Sequence, residues 1–78
     1  MTHDDVWRAI DEFATGQNLS CSGLAKCGGL DPTAFNRSKR YSRTGQPRWP
    51  STQSISKILA ATGKDITEFL KYLPGRIA

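Results

Sequence analysis

Nowhere does this 78-residue chain hold an apolar run long enough to cross a membrane, and Asp4 and Asp5 stand where a secretory signal would carry its basic and apolar regions. The expected location is the cytosol. Histidine occurs once, at His3, and cysteine twice, at Cys21 and Cys27. A spacing of six along one helix turns a side chain by about 600° and climbs about 9 Å, so these thiols cannot join in a disulfide. They form no CxxC pair and His3 is too remote to complete a ligand set, so no metal is expected. The reading is two reduced thiols, Cys27 half buried, with His3 a surface residue of no special role. There is no Ser/His/Asp set, no phosphate-cradling glycine loop before a helix and no base beside Cys21. The chain is therefore expected not to be an enzyme, and to need no cofactor or small-molecule ligand.

Acid is missing from a whole half of the chain. Between Pro32 and Lys64 there is no Asp or Glu, while Arg37, Lys39, Arg40, Arg43, Arg48, Lys57 and Lys64 all fall inside. The seven acids lie outside it, at Asp4, Asp5, Asp11, Glu12, Asp31, Asp65 and Glu68. The net charge of +4 is thus strongly one-sided, as a nucleic-acid-facing surface requires. A solvated charged surface is the plainer alternative, which Lys57 and Lys64 fit. The length allows one domain with a thin core, for which a helical bundle of local contacts is the cheapest stable solution.

What is present is a series of helix signals. Thr2 is an N-cap with Asp5 three residues on, and Val6, Trp7, Ile10, Phe13 and Ala14 then make one apolar stripe that Gly16 ends. Leu19 and Leu24 bracket Ser20 as a staple around a second N-cap. Leu30 and Phe35 do the same around Asp31, with Pro32 at the first helical position, where its missing N–H costs nothing. A fourth helix starts at Ser51, turns Ile55, Ile58, Leu59 and Thr62 inward and closes at Gly63. A fifth opens on Asp65 and Glu68, carries Ile66, Phe69, Leu70 and Leu73, and stops at Pro74-Gly75. From Tyr41 to Pro50 periodicity fails and turn formers dominate, which predicts a loop in which Arg43, Arg48, Tyr41 and Trp49 interleave charge and aromatics. Trp49 reads as a plug closing that loop. The expectation is an all-α, five-helix domain over residues 1–78.

The second and third of these helices are joined by Gly28-Gly29. Ala25, small and four residues before Gly29, allows a close approach, and Gly29 suits the positive φ of a tight turn. Helix, glycine turn, helix and a basic follow-on make a helix-turn-helix, whose second helix lies in the DNA major groove. Here Leu24-Ala25, Gly29-Leu30-Asp31 and Phe35 resemble the phage-repressor (Cro/CI, Xre-like) DNA-binding domain. The run Gly29 to Asn36 with Arg48-Trp49-Pro50-Ser51 is similar to the N-terminal domains of LexA-like, self-cleaving bacterial repressors of the CI type. The resemblance spans nearly the whole chain. It departs at Ser38, where the family usually has an apolar residue, and in a longer loop after Arg40.

The resemblance implies a compact lambda-repressor-like bundle in the bacterial cytoplasm at the nucleoid, acting as a transcriptional repressor. It implies a homodimer on a two-fold operator in double-stranded DNA, and a chain that is the N-terminal part of a longer regulator or a small Cro-like factor. Geometry and resemblance together place Pro32, Thr33, Asn36 and Arg37 at base edges. Asn36 suits adenine, with a solvent-facing helix position its alternative; Arg37 suits guanine or equally a phosphate; and Pro32 suits only an apolar contact, for instance to a thymine methyl. Ser20, Ser22, Lys39, Arg40, Tyr41, Arg43 and Arg48 fall to the phosphate backbone. Phe69, Tyr72, Leu73 and Ile77 are the candidates for a dimer contact, with core packing the alternative for Phe69 and Leu73. A competing function is a protein-interaction module of the same fold, an antitoxin-like partner protein, against which the acid-free stretch argues.

Overall fold

A computed structural model of the chain describes residues 2–73. Four α-helices follow one another: α1 (His3–Gly16), α2 (Cys21–Cys27), α3 (Thr52–Thr62) and α4 (Ile66–Leu70). Among the described residues there is no strand, only an isolated antiparallel bridge between Tyr41 and Pro47. The domain is all-α.

The helix starts are made by local side-chain chemistry. Thr2 accepts from the Asp5 amide while the Asp5 carboxylate accepts from the Thr2 amide, a reciprocal capping box. Ser20, Ser51 and Asp65 cap α2, α3 and α4 by accepting from Gly23, Ser54, and both Thr67 and Glu68. Glu68 does not reciprocate as a capping-box partner; its carboxylate pairs with Lys71 at 3.2 Å.

The helix ends share one device. Leu19 N–H donates to the Ala14 carbonyl, Leu30 to Ala25 and Lys64 to Leu59, each across the reversal that closes α1, α2 and α3. The residue before each donor, Asn18, Gly29 and Gly63, sits at φ of 60°, 72° and 70°. This is the Schellman closure, which needs a left-handed residue that glycine or asparagine takes most readily. Gly16, expected to end α1, is its last helical residue, and Asn18 makes the reversal.

The core lies where α1 meets α2 and α4, and where α2 meets α3. The expected stripe of α1 is buried throughout and joins Leu24, Ala25, Phe35, Ile58, Leu59 and Phe69. Phe13 lies edge-on to Phe69 and Tyr72, and Trp7 edge-on to Phe35. Each such large side chain removed from water contributes about 1.5–3 kcal/mol before its entropic cost. Gly28 presses on α3, where a Cβ would stand 3.1 Å from Ile58 Cγ2. Of the residues assigned to α4, Phe69 is buried but Ile66 is 49% exposed. The Pro74-Gly75 stop and Ile77 lie outside the described residues.

The third of the five expected helices is replaced by two tight turns. Ala34 N–H donates to the Asp31 carbonyl and Asn36 N–H to that of Thr33, three residues back rather than four. Asn36 is extended, at ψ 154°, and a short 3-10 turn follows at Arg37–Lys39. The reason lies at Phe35. Its carbonyl, which a continuous α-helix would present to the Lys39 amide, accepts instead from the Arg40 guanidinium at 3.0 Å, and Lys39 N–H bonds to Asn36.

Candidate nucleic-acid interface

The residues following the Gly29 reversal expose their polar side chains because Phe35 alone is drawn fully inside, leaving Pro32, Thr33, Asn36, Arg37 and Lys39 in solvent. Asp31 shapes the entry by accepting from the amide of Thr33 at 2.8 Å and from its hydroxyl at 2.6 Å. That pair of bonds holds the Asp31 carboxyl below the ordinary carboxylate range. The Thr33 hydroxyl therefore has its proton engaged and offers lone pairs only. Asn36 makes no side-chain capping bond. Ser20, Asn36 and Arg37 line one hollow of about 320 Å³ between the start of α2 and the 3-10 turn.

Residues 40–48 form a small hairpin instead of an irregular loop. Ser42 N–H donates to Gln46, Gly45 N–H to Ser42, and Arg48 N–H to Arg40 at 2.9 Å, so the chain returns to its starting point. The Ser42 hydroxyl accepts from Gln46 N–H, and Gly45 turns the tip at φ 83°. Arg43 stands exposed near the tip and Arg48 at the base. Lys39, Arg48, Trp49, Ser51 and Ser54 line a second hollow of about 230 Å³ beside the hairpin base. Among the described residues, Arg37, Lys39, Arg43 and Arg48 enter no salt bridge.

Arg40, expected at a phosphate, is spent inside the protein. Its two terminal nitrogens donate to the Asp11 carboxylate at 2.7 and 3.1 Å, and the guanidinium lies 4.9 Å from the centre of the Trp7 ring. Only 12% of the side chain is exposed, and Nε has no partner among the described residues. Burial works against charge on Asp11, but the bonds from Arg40 and Cys21 outweigh it and hold its pKa below the ordinary value. Cys21 Sγ donates to the same carboxylate at 2.9 Å; burial first, then Asp11, pushes this thiol up to about 11. Cys27, expected half buried, is exposed. Tyr41 is exposed but its hydroxyl donates to Asp4 at 3.2 Å, which raises its pKa.

Two further expectations change. Trp49 does not plug the loop: it is 55% exposed, edge-on to the His3 ring. His3 is no idle surface residue; its side chain is 10% exposed among Trp7, Tyr41 and Trp49. Nε2 lies 2.7 Å from the Arg40 carbonyl and 2.9 Å from that of Arg48. Two acceptors require the proton on Nε2, so Trp7 Nε1, 3.1 Å from it, donates instead to the Arg48 carbonyl at 2.9 Å. The one local sign of this pair is the spacing of four between His3 and Trp7, which puts both on one helix face.

Tyr72 and Leu73, weighed for a dimer contact, are half-buried against the core, and Phe69 belongs to it. No metal-holding group of His, Cys, Asp and Glu occurs among the described residues, nor a helix long and apolar enough to cross a membrane. No family model, curated protein or solved structure matches the chain.

Proposed function

We propose that this domain is a sequence-specific DNA-binding transcriptional regulator, a repressor that binds a two-fold operator as a dimer. The observation that carries the reading is the set of exposed cations, Arg37, Lys39, Arg43 and Arg48, on one acid-free stretch that follows the α2 reversal. Four charges without salt-bridge partners among the described residues, in so short a segment, suit phosphates, and affinity resting on them falls steeply with salt. The turn-and-3-10 segment 32–39 is the reading element, offered to the major groove where a helix-turn-helix of five-helix repressors would place its recognition helix. Asn36 and Arg37 are its base-reading side chains. Thr33 accepts a hydrogen bond from a base, and Pro32 makes an apolar contact. Ser20 and Ser22 face the backbone from the start of α2. Dimerisation follows from the narrow reach of one such element, which covers too few base pairs for useful specificity.

The test is fluorescence anisotropy with a labelled duplex from upstream of the protein's own gene beside a scrambled duplex, at low and moderate salt. Preferential binding that survives moderate salt and is lost in Arg37→Ala is expected. Absence of binding to either duplex at low salt overturns the reading and favours a protein partner.

A further inference from the structure

We propose that hairpin 41–47 is a preformed arm for the phosphate backbone of duplex DNA, and that His3 is its positioning residue. The proposal rests on the DNA-binding reading above and adds to it a part that touches no DNA. Among the described residues, the hairpin's tip is held only by its own short-range bonds: Ser42 with Gln46, Gly45 with Ser42, and the Ser42 and Thr44 hydroxyls with each other. Seven residues closed by so few exposed bonds are marginal in isolation. What joins them to the folded body is the base. The Arg40 carbonyl accepts from both Arg48 N–H and His3 Nε2, and the Arg48 carbonyl accepts from His3 Nε2 and Trp7 Nε1. One imidazole thus bridges the two ends of the hairpin and ties both to the first turn of α1.

The geometry separates structure from recognition. Toward the hairpin, His3 and Trp7 hydrogen-bond to main-chain carbonyls, while His3 Nδ1 lies 3.4 Å from the Asp4 carboxylate, and the side chains of Arg43 and Arg48 are left to solvent. The Tyr41 ring, 4.8 Å from His3, has its hydroxyl tied to Asp4, so one face of the hairpin is anchored to α1. An arm ordered before binding does not lose that conformational freedom on the DNA, the general benefit of preorganisation.

The experiment uses the full chain and a labelled mixed-sequence duplex, with the wild type, His3→Ala, Arg43→Ala and the double variant titrated across a range of salt. Amide exchange of Ser42, Gly45 and Arg48 is followed without DNA. In His3→Ala these amides are expected to exchange about tenfold faster or more. The slope of log affinity against log salt is expected to drop by about 0.9 for each phosphate that the variant leaves unneutralised. The effect of His3→Ala is expected to shrink in the Arg43→Ala background. A simple decrease in folded protein would lower the active fraction and leave the slope alone. Gly45→Val provides a second route, because a β-branched residue at φ 83° strains the tip where an added Cβ meets no neighbouring atom within 4 Å. Unchanged protection and slope in His3→Ala, or an unchanged slope in both Arg43→Ala and Gly45→Val, overturn the arm while the DNA reading stands. A wild type that binds no duplex at low salt overturns both.

Discussion

Arg40 grips Asp11 across 29 positions of sequence with two hydrogen bonds of 2.7 and 3.1 Å, and the same guanidinium takes the Phe35 carbonyl from the backbone. One side chain therefore joins the basic segment to α1 and sets the conformation of the residues before it. It also shields the Asp11 carboxylate from any anionic partner of that segment.

Breaking this pair should be costly. A fully buried pair loses about 3–5 kcal/mol when one partner is removed, and an exposed pair about 0–1. With Arg40 nearly buried and Asp11 37% exposed, Asp11→Ala and Arg40→Ala should each cost about 2 kcal/mol, between those limits. The double variant should cost clearly less than the sum. Urea unfolding of the four proteins measures the coupling.

Acid should destabilise the fold. Asp11 titrates below its ordinary value, so its stabilisation is complete above the unfolded pKa of about 3.9 and is lost as pH falls through the lower folded value. Asp5, lowered by the Thr2 amide, and Asp31 and Asp65, lowered by the hydroxyls of Thr33 and Thr67, act in the same direction. Melting temperature should decline below about pH 4, and more gently in Asp11→Asn. An equally steep decline in that variant would remove Asp11 from this account.

The two thiols should react in separate steps. Cys27 is exposed, whereas Cys21 is half-buried, bonded to Asp11 and raised to about 11. At about pH 8 a thiol with so high a pKa is ionised to only about 0.1%, and thiolate is the reactive form. Iodoacetamide followed by mass spectrometry should show one fast modification at Cys27 and a second at Cys21 at least about tenfold slower. Asp11→Asn should speed the second.

Gly29 is constrained by backbone angle alone. At φ 72° a Cβ would meet nothing within 4 Å, so Gly29→Ala should cost about 1 kcal/mol from conformation, with Gly29→Asn milder. Gly28→Ala probes packing instead, since its Cβ would approach Ile58 closely. Thermal melts of the three variants separate the two effects.

What could be read from the sequence follows how far each interaction reaches. The caps at Thr2, Ser20, Ser51 and Asp65 and the turn at Gly29 depend on residues within three or four positions, so a local pattern carries them. The third helix has equally good local signals in Asp31 and Pro32, yet Arg40, held by Asp11 from 29 positions away, captures the Phe35 carbonyl and divides it. The role of His3 is hidden for the same reason: its acceptors lie 37 and 45 residues away. Of the eleven residues assigned to DNA, all but Arg40 are exposed, because charge and turn composition do encode exposure. Trp49 runs against its hydrophobicity, drawn to the hairpin base by His3 and not into the core.

The two tryptophans lie in opposite settings, Trp7 at 4% exposure and Trp49 at 55%. The protein thereby carries two intrinsic optical reporters. Iodide or acrylamide should quench Trp49 and spare Trp7, whose emission should shift to longer wavelength only when the core opens. Because Trp49 shares its hollow with Lys39, Arg48 and the buried Trp7, occupancy of that surface can be followed in an unlabelled molecule by the protection of Trp49 from quencher, while access of quencher to Trp7 records loss of the fold.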